Sequence, residues 1–495
     1  MDTQTSEEHD PPRALVPTLV GIGLIVALVS SLGAPLIPTI AAEQGVRLAT
    51  ADWVLTASLL TGALATPIMG RLADGAHQRR VIVFTLGLVL LGCVISALAP
   101  NFSVIVIGRG FQGVGLGLLP VNMAIARRVL RHDRSQRAIA TLSVSTAIGA
   151  GLGYPATAAV AQVGGVAAAY WFGAFMVVLA TIAALIFVPK GSRSHHRDFD
   201  GIGAFLLGSA IFSISVFLSE GAGWGWTSTS SLIAVGIASA ALMAWIPTEL
   251  RHHSPLVELR YLKVTSVAVA DLIGFAMSVA MYLVVPVIVE FVQTDPSSGY
   301  GFGVGIMTAG FLLTPLSVGT YLASRTLIPL ERALGTRLLM PLGSMTFASA
   351  ALFFLAFHDQ LWQAFMAVGI IGLGIGLTFA AMPSFIIRAV PPSETGSATG
   401  LYQVLRNIGL AVGSSLAAGL LRSATPKGAD TPTLTGYEYA FWGAVAIGLL
   451  TAVVTYVLGD APSDTTNVEQ VQRATRDEGL LEATGALLLN DELDE

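Results

Sequence analysis

The chain has 495 residues, of which 54% are hydrophobic and only 12% are charged. Soluble domains carry about 25% charged residues, so this composition excludes a soluble globular protein. The net charge of −5 arises in an acidic C-terminal tail and indicates no nucleic-acid partner, and the single cysteine, Cys93, excludes a disulfide framework and a cysteine metal site.

Hydrophobic stretches joined by short loops fill most of the chain. Fourteen of them are long enough to cross the hydrocarbon core of a bilayer, about 30 Å thick, as helices. In chain order the predicted spans lie near 15–40, 52–73, 81–99, 103–126, 137–163, 166–188, 199–220, 230–248, 265–291, 303–325, 337–357, 361–387, 395–421 and 437–458. The prediction is an all-α integral membrane protein.

The basic residues fall almost entirely in every second loop. One set of loops, with the two tails, holds 21 of the 26 Lys and Arg residues, the other set holds three, and two lie within spans. Cytoplasmic loops are enriched in Lys and Arg, so we expect a multi-pass protein of the cell membrane with both termini in the cytoplasm. The first dozen residues have no basic segment, which favours a retained first helix over a cleaved signal peptide.

An internal repeat indicates two related halves. Alternating glycines followed by a proline occur twice: Gly113, Gly115, Gly117 and Pro120 in span 4, and Gly372, Gly374, Gly376 and Pro383 in span 12. The offset exceeds the length of six helices, which predicts an inserted hairpin between two six-helix halves. The expected parts are a tail at 1–14, a half at 15–190, an extra two-helix hairpin at 199–250, a half at 260–458 and an acidic, disordered cytoplasmic tail at 459–495.

Three motifs resemble those of the major facilitator superfamily. They are GRLADGAHQRR (Gly70 to Arg80) between spans 2 and 3, IGRGFQGVGLG (Ile107 to Gly117) in span 4, and the antiporter-type motif GAGLGYP (Gly149 to Pro155) in span 5. With fourteen spans and the segment AVPPSETGSATGLYQVLRNIG (Ala389 to Gly409), the resemblance extends over about 15–458 and is to the fourteen-span drug:proton antiporter branch. It implies the major facilitator fold and alternating access by rocking of the two halves around a midplane cavity.

The chain departs from the family pattern at three places. His77 and Gln78 replace a glycine and a basic residue of the loop motif, and Tyr154 separates Gly153 from the motif proline. The first span, SSLGAPLIPTI, has no acid where this branch usually carries one, so its usual proton site is missing.

The loop motif implies an inner gate. Its members here are Gly70, Asp74, Arg79 and Arg80. The resemblance implies that Asp74 faces the start of a helix in the other half, near 395–397, where a carboxylate gains from the helix dipole. The alternative is a loop whose basic residues only set the orientation.

Arg109 lies within span 4, and no acid lies at a comparable depth in the first six spans. A charge inside a membrane is expected to face a cavity or a partner. The resemblance implies contacts with backbone carbonyls of span 1, where Gly33, Pro35 and Pro38 would leave carbonyls free. Arg109 is therefore a coupling candidate, or it only connects spans 1 and 4.

Asp271 is the leading candidate for the proton carrier. It shares one helical face with Ser278 and Tyr282, which would line a central cavity. A carboxylate removed from water binds protons more readily. The alternative is an Asp near the interface, solvated or paired with Lys263. Glu290, at the outer end of the same span, is an interfacial anchor or a second coupling group, and Glu220 in span 7 is a similar case.

A polar stripe in span 13 contains Gln403, Arg406 and Asn407. It is unfavourable against lipid and is expected to face the cavity or another helix. Arg406 is a coupling candidate and a possible counter-charge of Asp271. A structural, carbonyl-binding arginine is the alternative.

Spaced small residues and scattered polar residues complete the predicted site. Gly149, Gly153 and Pro155 permit close helix packing and a kink, which suits the seam between the halves. The predicted substrate cavity contains Gln112, Asn122, Tyr154, Met277, Ser278, Tyr282, Gln403 and Asn407.

The function predicted from these observations is proton-coupled export of hydrophobic or amphiphilic drugs or antibiotics. The alternative is transport of a specific metabolite or lipid with different or no proton coupling. An enzyme is not expected, since no His-Glu-x-x-His or Gly-x-Ser-x-Gly motif occurs, and no phosphate-binding loop indicates ATP use. A sensor or scaffold that binds without transport is a further alternative. The expected partners are a small molecule, protons and lipids, with no cofactor or metal, and the chain is expected to be a monomer.

Overall fold

The computed structural model describes residues 14–73, 78–130, 132–189, 200–252, 255–334, 336–390, 395–426, 429 and 431–458, and all regular elements in these ranges are helical. The α-helices are α1 (Leu15–Ser31), α2 (Ile37–Gln44), α3 (Leu48–Ala51), α4 (Trp53–Ala73), α5 (Gln78–Ala97), α6 (Phe102–Gly113), α7 (Leu118–Val129), α8 (His132–Phe187), α9 (Gly201–Trp224), α10 (Thr229–Arg251), α11 (Thr265–Gln293), α12 (Ile306–Leu312), α13 (Thr314–Leu334), α14 (Thr336–Ala356), α15 (Leu361–Ala389), α16 (Thr395–Ser423) and α17 (Leu434–Leu458).

The helices group into two compact units. The first unit comprises Met1–Arg197 and Gly303–Val318, and the second comprises Asp198–Phe302 and Gly319–Glu495. The first unit has a core of large aliphatic side chains from α1 and α4 to α8. In the second, α11 packs along α16, and α14 packs against α15 and α17.

The described helices match the predicted spans closely. Twelve helical stretches of the described chain are long and apolar enough to cross a membrane. Span 2 is not among them because its apolar part, Trp53–Met69, is shorter. Spans 5 and 6 both lie within α8, which is interrupted by a kink at Gly165, where φ is 73° and ψ is −174° and glycine is favoured, so the kink separates the two predicted spans. The prediction of an all-α membrane fold is therefore confirmed.

The first helix ends early for a local reason. Gly33 and Pro35 follow Ser31, and proline lacks the backbone N–H that would continue the α-helical pattern. A short 3₁₀ turn, Ala34–Leu36, then leads into α2. Carbonyl groups in the last turn of α1 are consequently open to donors from side chains.

The extra hairpin, α9 and α10, packs with the C-terminal helices. Within the second unit α9 lies against α16. Arg422 of α16 forms an ion pair with Glu220 of α9, and its Nη1 lies 3.5 Å from the carbonyl oxygen of Ser219. Glu220, predicted as an anchor or coupling group, thus connects the hairpin to α16.

We expect Glu220→Gln to lower the melting temperature of the purified protein by a few degrees. The side chains of Glu220 and Arg422 are only 17% and 11% exposed, so the arginine would lose its carboxylate partner in a place that water reaches poorly. Thermal unfolding in detergent measures the effect. Glu43→Gln, which neutralises an exposed carboxylate, is the control, and an equal melting temperature in both variants would show that the ion pair contributes nothing.

Candidate functional site

Arg109 lies in the core of the first unit and is 0% exposed. Its Nη1 and Nη2 donate to the carbonyl oxygens of Val29 and Ser30, both at 3.2 Å, and its Nε donates to the carbonyl of Val54 at 2.9 Å. The contact with span 1 that the resemblance implied is therefore present, at the last turn of α1. Carbonyl oxygens at a helix C-terminus carry partial negative charge, which compensates the guanidinium.

Two residues predicted to line the cavity are buried within the first unit, and one of them contacts this arginine. Gln112 accepts a hydrogen bond from Arg109 at 2.7 Å and donates one to Ser96 at 3.2 Å. Asn122 donates to the carbonyl of Leu19 at 3.3 Å. In this arrangement both amides connect helices of the first unit, and contact with substrate stays a prediction.

Asp52 is a buried acid that the sequence analysis did not single out. It is 4% exposed and lies between α3 and α4, two residues before Val54, whose carbonyl binds Arg109. Asp52 lies at the predicted edge of span 2, so the expectation that no acid lies at a depth comparable to that of Arg109 stays a prediction. The available signal was an acid directly before Trp53 at the predicted edge of span 2.

The antiporter-type motif places α8 directly on the backbone of α1. A Cβ atom on Gly149 would lie 2.7 Å from the carbonyl oxygen of Leu24, and one on Gly153 would lie 2.9 Å from the Cα of Leu28. Both distances are too short for any larger residue, so the glycines are required for this packing.

The same helix packs against α12 in the first unit. A Cβ atom on Gly310 would lie 2.9 Å from the carbonyl oxygen of Tyr154 and 3.3 Å from the Cα of Pro155. Tyr154 itself is buried. The motif therefore provides two close helix contacts, and its part in any motion stays a prediction.

The inner-gate residues lie at the ends of α4 and α5. Gly70 is in the last turn of α4, and Arg79 and Arg80 begin α5. Arg79 donates a hydrogen bond to the carbonyl of Leu185, and Arg80 is exposed. Asp74 lies outside the described residues, so the contact expected of it stays a prediction.

Asp271 is buried in α11 of the second unit. It is 1% exposed, and neither carboxylate oxygen has a hydrogen-bond partner among the described residues. The alternative of a carboxylate that is solvated or paired with Lys263 is therefore wrong, because Lys263 is exposed and Asp271 is buried. Burying an ionised carboxylate without hydrogen bonds is strongly unfavourable.

Tyr402 of α16 lies beside this carboxyl and was missed by the sequence analysis. Its ring fills the space next to Gly274, one turn after Asp271: a Cβ atom on Gly274 would lie 2.4 Å from the tyrosine Cε2. The hydroxyl is close enough to interact electrostatically with both Asp271 and Arg406, and it has no hydrogen-bond partner among the described residues. The sequence signal for this residue was its spacing of four from Arg406, which places both side chains on the same helical face.

Arg406 packs on an aromatic ring and not on an acid. Its Cζ lies 4.4 Å from the ring centroid of Phe379 in α15. Its Nε has no hydrogen-bond partner in the described chain. The suggested pair with Asp271 is not formed, since the ring of a neighbouring helix lies against the guanidinium instead. Along the same polar stripe, the Nε2 atom of Gln403 lies 3.5 Å from the Oδ1 atom of Asn407.

The remaining predicted cavity residues of α11 lie on its buried side. Met277 and Ser278 are 0% exposed, and the Ser278 hydroxyl donates to the carbonyl of Gly274 at 2.7 Å. Tyr282 is half-buried. The backbone of α16 comes close at Gly409, because a Cβ atom there would lie 2.5 Å from a carbonyl oxygen of α11.

Glu290 lies near the other end of α11 and is 1% exposed, and its role as an interfacial anchor or coupling group stays a prediction. One turn on, the Thr294 hydroxyl lies 3.4 Å from the hydroxyl of Tyr437. In the loop that follows, Tyr300 donates to the carbonyl of Pro432 at 2.5 Å. Burial raises the pKa of the Tyr300 hydroxyl, so it remains a neutral donor.

Comparisons with known proteins agree with this architecture. The pattern of the Major Facilitator Superfamily matches residues 19–271 and 270–490. The uncharacterized MFS-type transporter YvkA of Bacillus subtilis (strain 168) is 24% identical over 461 residues, which cover 92% of this chain and 98% of that protein. The multidrug transporter protein MdtP of the same organism is 27% identical over 424 residues, which cover 82% of this chain and 75% of that protein.

A solved structure supports the fold alone. The crystal structure of the nucleoside transporter NupG superposes with a TM-score of 0.62 at 12% identity, covering 90% of this chain and 99% of that chain. At this identity the likeness carries no information about substrate.

Proposed function

This chain belongs to the Major Facilitator Superfamily, and from that premise we propose that it exports hydrophobic or amphiphilic small molecules, including drugs or antibiotics, in exchange for protons. The family and the relatives are membrane transporters, in line with the prediction that the chain is not an enzyme. The proposal places the protein in the cell membrane as a monomer with both termini in the cytoplasm.

The observation that carries the proposal is the carboxyl of Asp271. It is buried without a hydrogen-bond partner among the described residues, yet it is close to Tyr402, which also interacts with Arg406. Such a carboxyl is favoured in its neutral form while it is buried, and a change in its surroundings would release the proton. That behaviour is what a proton carrier in an exchanger needs.

The similarity to MdtP, a multidrug transporter, supports export of chemically diverse compounds. A second candidate is transport of one metabolite or lipid with different or no proton coupling. The observation that favours it is the first span, which has no acid between Ser30 and Ile40.

Proton flux in liposomes tests the proposal. The protein is reconstituted with an enclosed pH dye, a proton gradient is imposed, and a panel of lipophilic cations and antibiotics is added. We expect substrate-triggered proton movement that protein-free liposomes lack. Protein-dependent uptake of a labelled compound without proton movement would overturn proton exchange and favour the second candidate.

A further inference from the structure

The two arginines within the predicted spans are held in different ways. Arg109 makes hydrogen bonds to three backbone carbonyls and to the side chain of Gln112. Arg406 makes no ion pair with a described residue, its Nε has no hydrogen-bond partner there, and its guanidinium rests on the ring of Phe379. The first arrangement fixes an arginine, whereas the second leaves one that another cation can replace.

We propose that the ring face of Phe379 is a substrate subsite for a lipophilic monovalent cation, and that the guanidinium of Arg406 occupies this face until such a cation displaces it. The inference rests on the proposed function, because it assigns a class of substrate and a contact to that same site. It adds a role for Phe379, which no motif of the sequence indicated.

The chemistry of the ring supports this assignment. An aromatic face attracts cations, and it does so most strongly when the cation is poorly hydrated. Guanidinium is such a cation, and so is an organic cation whose charge is shielded by apolar groups. One ring face has room for only one of them, so binding of substrate requires that Arg406 moves away.

Accessibility supports it as well. Phe379 and Arg406 are each only partly buried, whereas Asp271 and Tyr402 are almost completely buried. The ring and the guanidinium are therefore less enclosed by the protein than the carboxyl is. Tyr402, which interacts electrostatically with both Arg406 and Asp271, would transmit a displacement at the ring to the proposed proton carrier.

A double-mutant cycle tests the displacement. Equilibrium binding of radiolabelled tetraphenylphosphonium is measured at one fixed pH on the purified wild type, Phe379→Leu, Arg406→Gln and the double variant. In the Arg406→Gln background, where no guanidinium competes, we expect Phe379→Leu to weaken binding on the order of five-fold, because a cation–π contact is lost. Arg406→Gln should tighten binding, since the competing cation is gone. Phe357→Leu, which removes a ring that is 52% exposed directly after α14, is the matched control and should bind as the wild type does.

The decisive comparison is the effect of Arg406→Gln on binding when Phe379 is present and when it is replaced by leucine. If Arg406 competes for the ring, the gain from Arg406→Gln disappears when Phe379 is already leucine. A gain of equal size in both backgrounds would show that the arginine acts only by its charge, and that result overturns the proposal. Unchanged binding when Phe379→Leu is added to Arg406→Gln also overturns it. Should Phe379→Leu fail to fold, weaker binding in Arg406→Gln alone is sufficient to reject it.

This binding experiment needs neither a proton gradient nor transport. The expected binding pattern without any proton flux in liposomes would therefore reject proton exchange and retain the subsite. Proton flux without the binding pattern would reject the subsite and retain the exchanger.

Discussion

Replacing Asp271 by asparagine is expected to abolish substrate-driven proton movement while leaving substrate exchange in place. Asparagine has the same size and fits the same space, but it cannot take up or release a proton. Liposomes that contain Asp271→Asn should show no more proton flux than protein-free liposomes. Exchange of labelled for unlabelled substrate without a pH gradient should persist, because it requires only binding and a conformational change.

The matched control is Asp295→Asn. Asp295 lies in the loop after α11, and the backbone N–H of Ser297 donates to its carboxylate at 2.8 Å, which lowers its pKa. Asparagine preserves this cap, so proton flux should equal that of the wild type. Wild-type flux in Asp271→Asn would contradict the proposal and would move the carrier to another acid, first Glu290 or Asp52, both of which are buried.

The fold was predictable because membrane spans obey strong local rules. Length and hydropathy located the helices, since each backbone polar group in lipid has to be paired within its own helix. Free carbonyls near Gly33, Pro35 and Pro38 were expected, but the first span was predicted as one helix over 15–40 and its break after Ser31 was not. The boundary predicted between spans 5 and 6, at 163–166, coincides with the kink at Gly165, because glycine readily adopts the non-helical backbone found there.

The partners of the charged residues were only partly predictable. The carbonyl groups of α1 that bind Arg109 were foreseen, but Val54 was not, because helical spacing says nothing about which neighbouring helix approaches. The stripe around Arg406 was placed on one face correctly by spacing. Its partner, Phe379, lies on a different helix. Because an apolar side chain in a membrane helix gives no sequence signal of contact with a charge, the sequence suggested Asp271 as the partner of Arg406.

Two residues were missed for different reasons. In the sequence, Tyr402 is indistinguishable from the other large residues of a membrane helix. Its position beside Asp271 depends on Gly274, which leaves space for the tyrosine ring. Asp52 lies at the predicted edge of a span, where acids are common and usually solvated, and only tertiary packing buries it. Both cases involve contacts between helices that are distant in sequence.

Replacing Arg109 by lysine is expected to reduce transport about ten-fold or more while the protein still reaches the membrane. Lysine keeps the charge but lacks the planar fork with which Arg109 reaches the carbonyls of Val29, Ser30 and Val54 simultaneously. Each buried acceptor left without a donor costs about 1–3 kcal/mol. The connection between α1, α4 and α6 should therefore loosen at the point where α1 ends.

Transport per folded molecule separates a functional role from a purely structural one. Uptake into vesicles is measured for Arg109→Lys and normalised to the amount of monodisperse protein. Arg325→Lys changes an exposed arginine that packs on Tyr321 and should transport normally. If the loss in Arg109→Lys vanished on normalisation, the arginine would only hold helices together. A loss that remains, with substrate binding retained, would assign Arg109 to the conformational change itself, because the carbonyls it binds lie where α1 breaks.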